Sequence, residues 1–164
     1  MTQTNTVTAR EYVARASSTE VFGRVLCDVR DHHYIVDGPT YNDCPGEEVT
    51  PGELFLSAVA SCGTELVQVI AREDGLPVPT VQVNVHGTVD KARQARAGVT
   101  TFTSLRVSFR IGGVSESEAA SLVERFQKRC PLYGTVAVAA DDVVVELEVE
   151  EPRSRPALAA SRAP

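Results

Sequence analysis

The sequence predicts an α+β fold in which an antiparallel sheet carries a long buried central helix and a second helix. Three observations predict it. Segments with apolar residues at every other position flank a long segment, from Pro51 onward, that is apolar almost all round. A later segment opening at Ser115 has its apolar residues at helical spacing instead. The 164 residues suffice for one domain with a real core, and residues 1–150 are expected to form it.

The first third reads as a β-meander, with strands over Glu11–Ala16, Phe22–Val29 and Tyr34–Asp37, each bounded by short polar or glycine-bearing turns. From Asp37 the run DGPTYNDCPGEEVTPG is too dense in glycine, proline, Asn and Asp for regular structure, so it forms a loop. The central helix, PGELFLSAVASCGTELVQVIAREDG, is signalled at its start three times. Thr50 suits the N-cap, Pro51 the first helical position, and Glu53 completes a T-x-x-E capping box. From Leu54 to Ile70 the helix is apolar on nearly every side, with small residues at Ser57, Ala58, Ala60, Ser61 and Gly63, and Gly75 stops it. Cys62 falls in mid-helix, near the face of Leu54.

Two long strands follow, Thr80–Asp90 and Thr101–Ile111, joined by the polar turn KARQARAG. Ser115 and Glu118 form a second capping box, and the helix they open carries Ala119, Leu122, Val123 and Phe126 on one face before ending near Cys130-Pro131. A short apolar piece, Leu132–Ala140, leads to a last alternating strand, Val143–Val149. The tail 151–164, EPRSRPALAASRAP, has no composition from which to build a core and is expected to be disordered.

A net charge of -6 with scattered Lys and Arg leaves no electrostatic footprint for nucleic acid or an anionic membrane surface. No uninterrupted apolar run reaches the roughly 18 residues of a membrane helix, and the start MTQTNTVTAREYVARA lacks the order of a secretory signal. A cytoplasmic protein is expected. There, the four cysteines, Cys27, Cys44, Cys62 and Cys130, are thiols and no disulfide framework. None lies in a C-x-x-C pair, and His32, His33 and His86 do not fall at zinc-ligand spacing from them, so no metal or cofactor is expected.

The helix TPGELFLSAVASC, the strand opening GLPVPTVQVNVHG and the helix end ERFQKRCPLY together resemble the OsmC-like superfamily, which includes the organic hydroperoxide resistance proteins. The resemblance covers roughly residues 10–150 and joins a cysteine inside a buried helix to a second one in an R-C-P run. It implies an intertwined homodimer with a site near the subunit interface. It also implies that Cys62 attacks an organic hydroperoxide, becomes a sulfenic acid and is resolved by Cys130, with a dithiol reductant restoring both. In the peroxidase branch an arginine held by a glutamate supplies a cation for the attacking sulfur. That glutamate directly follows the proline of the helix start, where this chain has Gly52, with Glu53 one place later. A helix turns about 100° per residue, so Glu53 points elsewhere. For the arginine, Phe22 occupies the usual place. Arg24, two residues on and on the same strand face, is the preferred substitute, with Arg30 further along.

The chemistry itself demands a cation, because only a thiolate attacks peroxide oxygen quickly and burial raises a thiol's pKa. Cysteine also serves as a small hydrophobe: Cys27, in a strand beside Val25 and Leu26, reads as core. Cys44 reads as an exposed loop thiol, Glu53 more as a cap than as a site residue, and His32-His33 as a solvated turn. Two functions remain open. One is a thiol-dependent peroxidase acting in peroxide detoxification and stress response. The other is a non-peroxidase role in which the interface cleft binds a small apolar or thiol-reactive ligand. The two sulfurs must come within disulfide reach for the first to hold.

Overall fold

The computed structural model describes residues 9–94 and 96–150, so the tail 151–164 lies outside the described residues. The chain divides into two compact units, Met1–Phe55 and Leu56–Pro164, and the long helix begins in one and continues in the other.

In the first unit β1 (Arg15–Ser18), β2 (Arg24–Val29) and β3 (His32–Asp37) form an antiparallel meander in chain order. Arg30 and Asp31 connect β2 to β3, and Arg30 takes a left-handed φ of 56°, the conformation that a tight hairpin turn requires. This turn explains why β1 starts at Arg15 and not at Glu11. Arg15 pairs with Asp28, and β2 turns away after Val29, so residues before Ala14 have no part of β2 opposite them. Val36 and Asp37 are buried at the end of β3. The loop that follows contains a single 3-10 turn, Thr40–Asn42, closed by Asp43 in the left-handed region.

Helix α1 runs Pro51–Glu73 from the expected capping box. The Thr50 N–H and hydroxyl both donate to Glu53 Oε2 at 2.8 Å, and the Glu53 N–H returns to Thr50 Oγ1 at 3.4 Å. By length and composition α1 is long and apolar enough to cross a membrane. The expectation to the contrary rested on uninterrupted apolar runs, and in this helix Ser57, Ser61 and the pair Thr64-Glu65 interrupt them. Its buried residues, Val59, Gly63, Val67, Ile70 and Ala71, recur every three or four positions. A stripe is buried, therefore, and not the whole circumference.

In the second unit β4 (Thr80–Thr88) and β5 (Ser104–Gly112) pair antiparallel, whereas β6 (Asp142–Glu150) pairs parallel to β5. The all-antiparallel expectation is corrected here, for a physical reason. Between β5 and β6 lie helices α2 (Glu116–Arg129) and α3 (Pro131–Ala139), a crossover of the kind that parallel strands need. The apolar piece after Cys130 is thus a third helix, with Pro131 at its first position. The KARQARAG turn contains one 3-10 turn, Lys91–Arg93, capped by Asp90.

Strand alternation sorts this sheet into two faces. Leu105, Val107, Phe109 and Ile111 are buried in the same core as Val59, Val67 and Ile70 of α1 and Leu122 and Phe126 of α2. The opposite face is charged, with Arg106 paired to Glu146 and Arg110 to Glu148. Phe126 joins the layers, edge-on to Phe109 at 5.0 Å between centroids and tilted against Tyr133 of α3 at 5.4 Å. Phe126→Ala is expected to cost about 3–5 kcal/mol, read as a lower midpoint in denaturant unfolding. An unchanged midpoint would show that the helices do not depend on this ring.

Candidate functional site

The second unit places two of the expected site residues together. Cys62 lies midway along α1, directly before Gly63, which has no side chain to hold the helix off the sheet. A Cβ on Gly63 would meet Val83 at 3.3 Å and the Phe109 ring at 3.4 Å. Cys130 lies at the junction of α2 and α3 and caps both. Its N–H donates to Phe126 O at 2.9 Å, ending α2, while its sulfur accepts the Tyr133 N–H at 3.4 Å, starting α3. The two sulfurs, 68 residues apart in sequence, are 2.9 Å apart in space. Both are free thiols; Cys130 is buried, only 3 % exposed, and Cys62 is half-buried.

The Cys62 thiol is pushed up to about 12. Burial is the largest cause, followed by the hydrogen bond and the charge of Cys130 and then the charge of Glu65. Within Leu56–Pro164, no Lys, Arg or His among the described residues donates to either sulfur. Arg129, next to Cys130 in the chain, is committed elsewhere. It donates to both oxygens of Glu73, at 2.6 and 3.0 Å, and Glu73 also accepts from Arg125 at 3.3 Å. These pairs tie the last turn of α2 to the last turn of α1. At neutral pH Cys62 alone would remain a thiol.

The first unit holds the remaining candidates. Arg24 forms a two-pronged pair with Asp37, Nε and Nη2 each donating at 2.8 Å, and Nη2 donates again to Glu47 at 2.7 Å. Asp37 is fully buried and also accepts the N–H groups of Glu47 at 3.1 Å and Glu48 at 3.2 Å. This node pins the loop that leads to α1. Asp37 escaped the sequence reading because an Asp opening a glycine- and proline-rich loop looks like a turn residue. Its only earlier signal was its place at the end of a strand two residues beyond Ile35.

Glu53 is engaged with the Thr50 cap, whose hydrogen bonds hold its carboxyl below the ordinary value. Cys27 is half-buried in β2, where it faces Ala16 and Tyr34 across the sheet. Cys44 is half-buried too, not exposed. Its sulfur would lie 2.3 Å from a Cβ on Gly23 and 2.4 Å from one on Gly38, so both neighbours must be glycine. Of the two histidines at the turn, His33 pairs with Asp28. Among the described residues no group of three or more His, Cys, Asp or Glu could hold a metal ion.

The family described as OsmC-like protein matches residues 44–151, a span that includes both paired cysteines. No curated protein matches the chain. Among solved structures, the OsmC-like protein of Mycoplasma pneumoniae shares 17% identity at a TM-score of 0.70, over 87% of this chain and 97% of that one. The organic hydroperoxide resistance protein OsmC of Legionella pneumophila shares 17% at 0.69, over 85% and 98%. An organic hydroperoxide resistance protein of Elizabethkingia anophelis shares 16% at 0.69, over 89% and 99%. At such identities the likeness is one of fold.

The Asp37 node makes a pH-dependent contribution whose sign is fixed. The Arg24 hydrogen bonds first, then those from the Glu48 and Glu47 backbone, hold its carboxyl far below the ordinary value of 3.8, against the opposing effect of burial. A group lowered on folding stabilises above its unfolded pKa and loses that contribution as pH falls towards the folded one. Asp37→Asn is therefore expected to lower the urea midpoint at neutral pH, with the gap to the parent protein narrowing on acidification below 3.8. A gap independent of pH would show that the carboxylate's charge is irrelevant.

Proposed function

Because this chain belongs to the OsmC-like protein family, we propose that it is a cysteine-dependent redox protein that reduces organic hydroperoxides through Cys62 and Cys130. The observation that carries the reading is the 2.9 Å approach of the two sulfurs. Disulfide formation from that distance needs under an ångström of further movement, since an S–S bond is about 2.05 Å long.

In the first step Cys62 Sγ attacks the terminal oxygen of the hydroperoxide. The O–O bond breaks, an S–O bond forms, and the alcohol leaves. In the second, the Cys130 thiol displaces the hydroxyl of the Cys62 sulfenic acid, giving water and the Cys62–Cys130 disulfide. A small dithiol or a dithiol protein then reduces that disulfide by exchange. No metal or organic cofactor enters these steps. Arg24 and Glu53 remain the candidates for supporting roles, with Arg24 the preferred cation.

The reading extends to a homodimer in the cytoplasm. Exposed apolar side chains support the homodimer: Tyr12, 83% exposed, and Phe22, 75%, in the first unit, and Val138, 81%, in the second.

One feature favours a second reading, in which the dithiol binds or exchanges with a small apolar or thiol-reactive ligand and turns over no peroxide. Gly52 stands where the resemblance places the peroxidase glutamate, and a Cβ there would meet nothing within 4 Å. With Cys62 pushed up to about 12, the usual activation of the attacking sulfur is missing from its own surroundings.

Stopped-flow mixing of the reduced protein with an organic hydroperoxide separates the two. The first reading expects rapid loss of two thiols, abolished in Cys62→Ser, and a sulfenic acid trapped on Cys62 in Cys130→Ser. Loss that persists unchanged in Cys62→Ser would sink the assignment, and no rapid loss in the parent protein would leave the second reading.

A further inference from the structure

We propose that Glu65 sets the charge selectivity of the dithiol: Cys62 accepts uncharged or cationic reaction partners and turns away anionic ones. The inference deepens the peroxidase reading and rests on it for the hydroperoxide, though the selectivity belongs to the thiol pair whatever oxidises it.

On a helix the side chains that flank a residue lie three and four places away, with about 5–6 Å between Cβ atoms. For Cys62 in α1 these are Ala58, Val59, Glu65 and Leu66. Three of the four are apolar. Val59 is buried in the core and Leu66 packs against it, so neither offers a polar atom to an approaching molecule. Glu65 is exposed, and its charge is felt at Cys62. Around the thiol the helix therefore shows a visitor one charge, and that charge is negative.

Nothing on the same surface offsets it. Ser61 and Thr64, the polar residues on either side of Cys62 and Gly63, spend their hydroxyl hydrogens on their own helix, donating to Ala58 O and Ala60 O at 3.1 Å each. Arg129 is near enough to feel Glu65, yet its guanidinium donates to both oxygens of Glu73. Arg125 pairs with Glu73 and Asp74, so the two arginines and two acids of that cluster cancel. Glu65 itself forms no hydrogen bond or ion pair among the described residues. Arg72 lies ten residues from Cys62, about 15 Å along the helix axis. On the other side of the pair, Cys130 is followed by Pro131 and by Leu132, which is 38% exposed.

A carboxylate brought to Cys62 finds no donor among these side chains and meets a like charge about one helical turn away. An ammonium group meets an unpaired acid instead, and an uncharged alkyl group meets Ala58, Leu66 and Leu132. Unit charges at such a separation in water change a rate roughly threefold, so replacing a cation by an anion there is worth roughly tenfold. The favoured hydroperoxide has an uncharged, apolar body, and the favoured dithiol reductant is neutral or positively charged near its sulfurs.

The test oxidises the reduced full chain with three small disulfides: cystamine, a dication; hydroxyethyl disulfide, uncharged; and dithiodipropionate, a dianion. Cys62 displaces one thiol from each, and Cys130 displaces the second as the protein disulfide closes. The rate is read as formation of the Cys62–Cys130 disulfide by peptide mass. Cationic and anionic rates are each divided by the uncharged one, which removes any effect of a substitution on the thiols themselves. In Glu65→Gln the cation-to-anion ratio is expected to fall roughly tenfold at low ionic strength, and in Glu65→Lys to fall further. Both differences should shrink in high salt. A ratio that neither substitution changes overturns the proposal. With hydroperoxides, Glu65→Gln is expected to speed one that bears a carboxylate relative to an uncharged one, and no relative gain overturns the extension to that substrate. Should no hydroperoxide oxidise the parent protein, the peroxidase reading fails and the disulfide ratios still decide the role of Glu65.

Discussion

The second unit depends on the buried stripe of α1. Val59, Gly63, Val67 and Ile70 enter the core that also receives Val107, Phe109 and Ile111 from β5 and Leu122 and Phe126 from α2. Gly63 is the tightest point, since a Cβ there would already press on Val83 and the Phe109 ring. Close packing at that residue fixes the height of α1 over the sheet, and the next residue back along the helix is Cys62. Phe109 in turn meets Phe126, which lies one helical turn before Cys130. The same aromatic contacts that join the layers thus fix where both sulfurs lie. Their 2.9 Å approach follows from core packing, with no dedicated loop required.

What the packing leaves open is charge. Burial favours the protonated state of a thiol, and the Cys62 thiol, pushed up to about 12, shows the consequence. In the first unit Arg24 is bound by two carboxylates, Asp37 and Glu47, and its guanidinium is the largest of the contacts that keep the fully buried Asp37 ionised. The node is a solution to burying an acid, with two charged hydrogen bonds and two backbone N–H groups filling its lone pairs. Arginine in this role stabilises the loop leading into α1, and whatever positive field it retains is discounted by the acids around it.

Local signals were legible in the sequence wherever a side chain and the backbone close to it decide the structure. Thr50 with Glu53 and Ser115 with Glu118 announced two helix starts, and both capping boxes formed. The R-C-P run and the cysteine in the apolar helix carried the family and both paired thiols. Non-local choices were harder to read. Alternation in Val143–Val149 shows a strand but carries no direction, so the parallel pairing with β5 had to come from the crossover. Helix α3 was hidden because Pro131 reads equally as the stop of one helix and the first residue of the next. The residue between them, Cys130, ends one and begins the other. Asp37 was missed for a related reason, since its partners come from 13 residues before and 10 residues after it.

That hidden helix bears on the chemistry more than any other element. At Cys130 the carbonyl end of α2 meets the N–H end of α3. The nine residues from Pro131 supply that second end, and their first turn gives the sulfur the Tyr133 N–H. Pro131 sharpens the arrangement, because it removes one N–H from the first turn, and the Tyr133 N–H is the one that reaches the sulfur. A position that a sequence reading takes as punctuation is therefore the point where backbone electrostatics meets the dithiol. The sulfur that accepts the first free N–H of α3 is thus held where that helix begins, and its 2.9 Å approach to Cys62 is fixed by the same backbone contact.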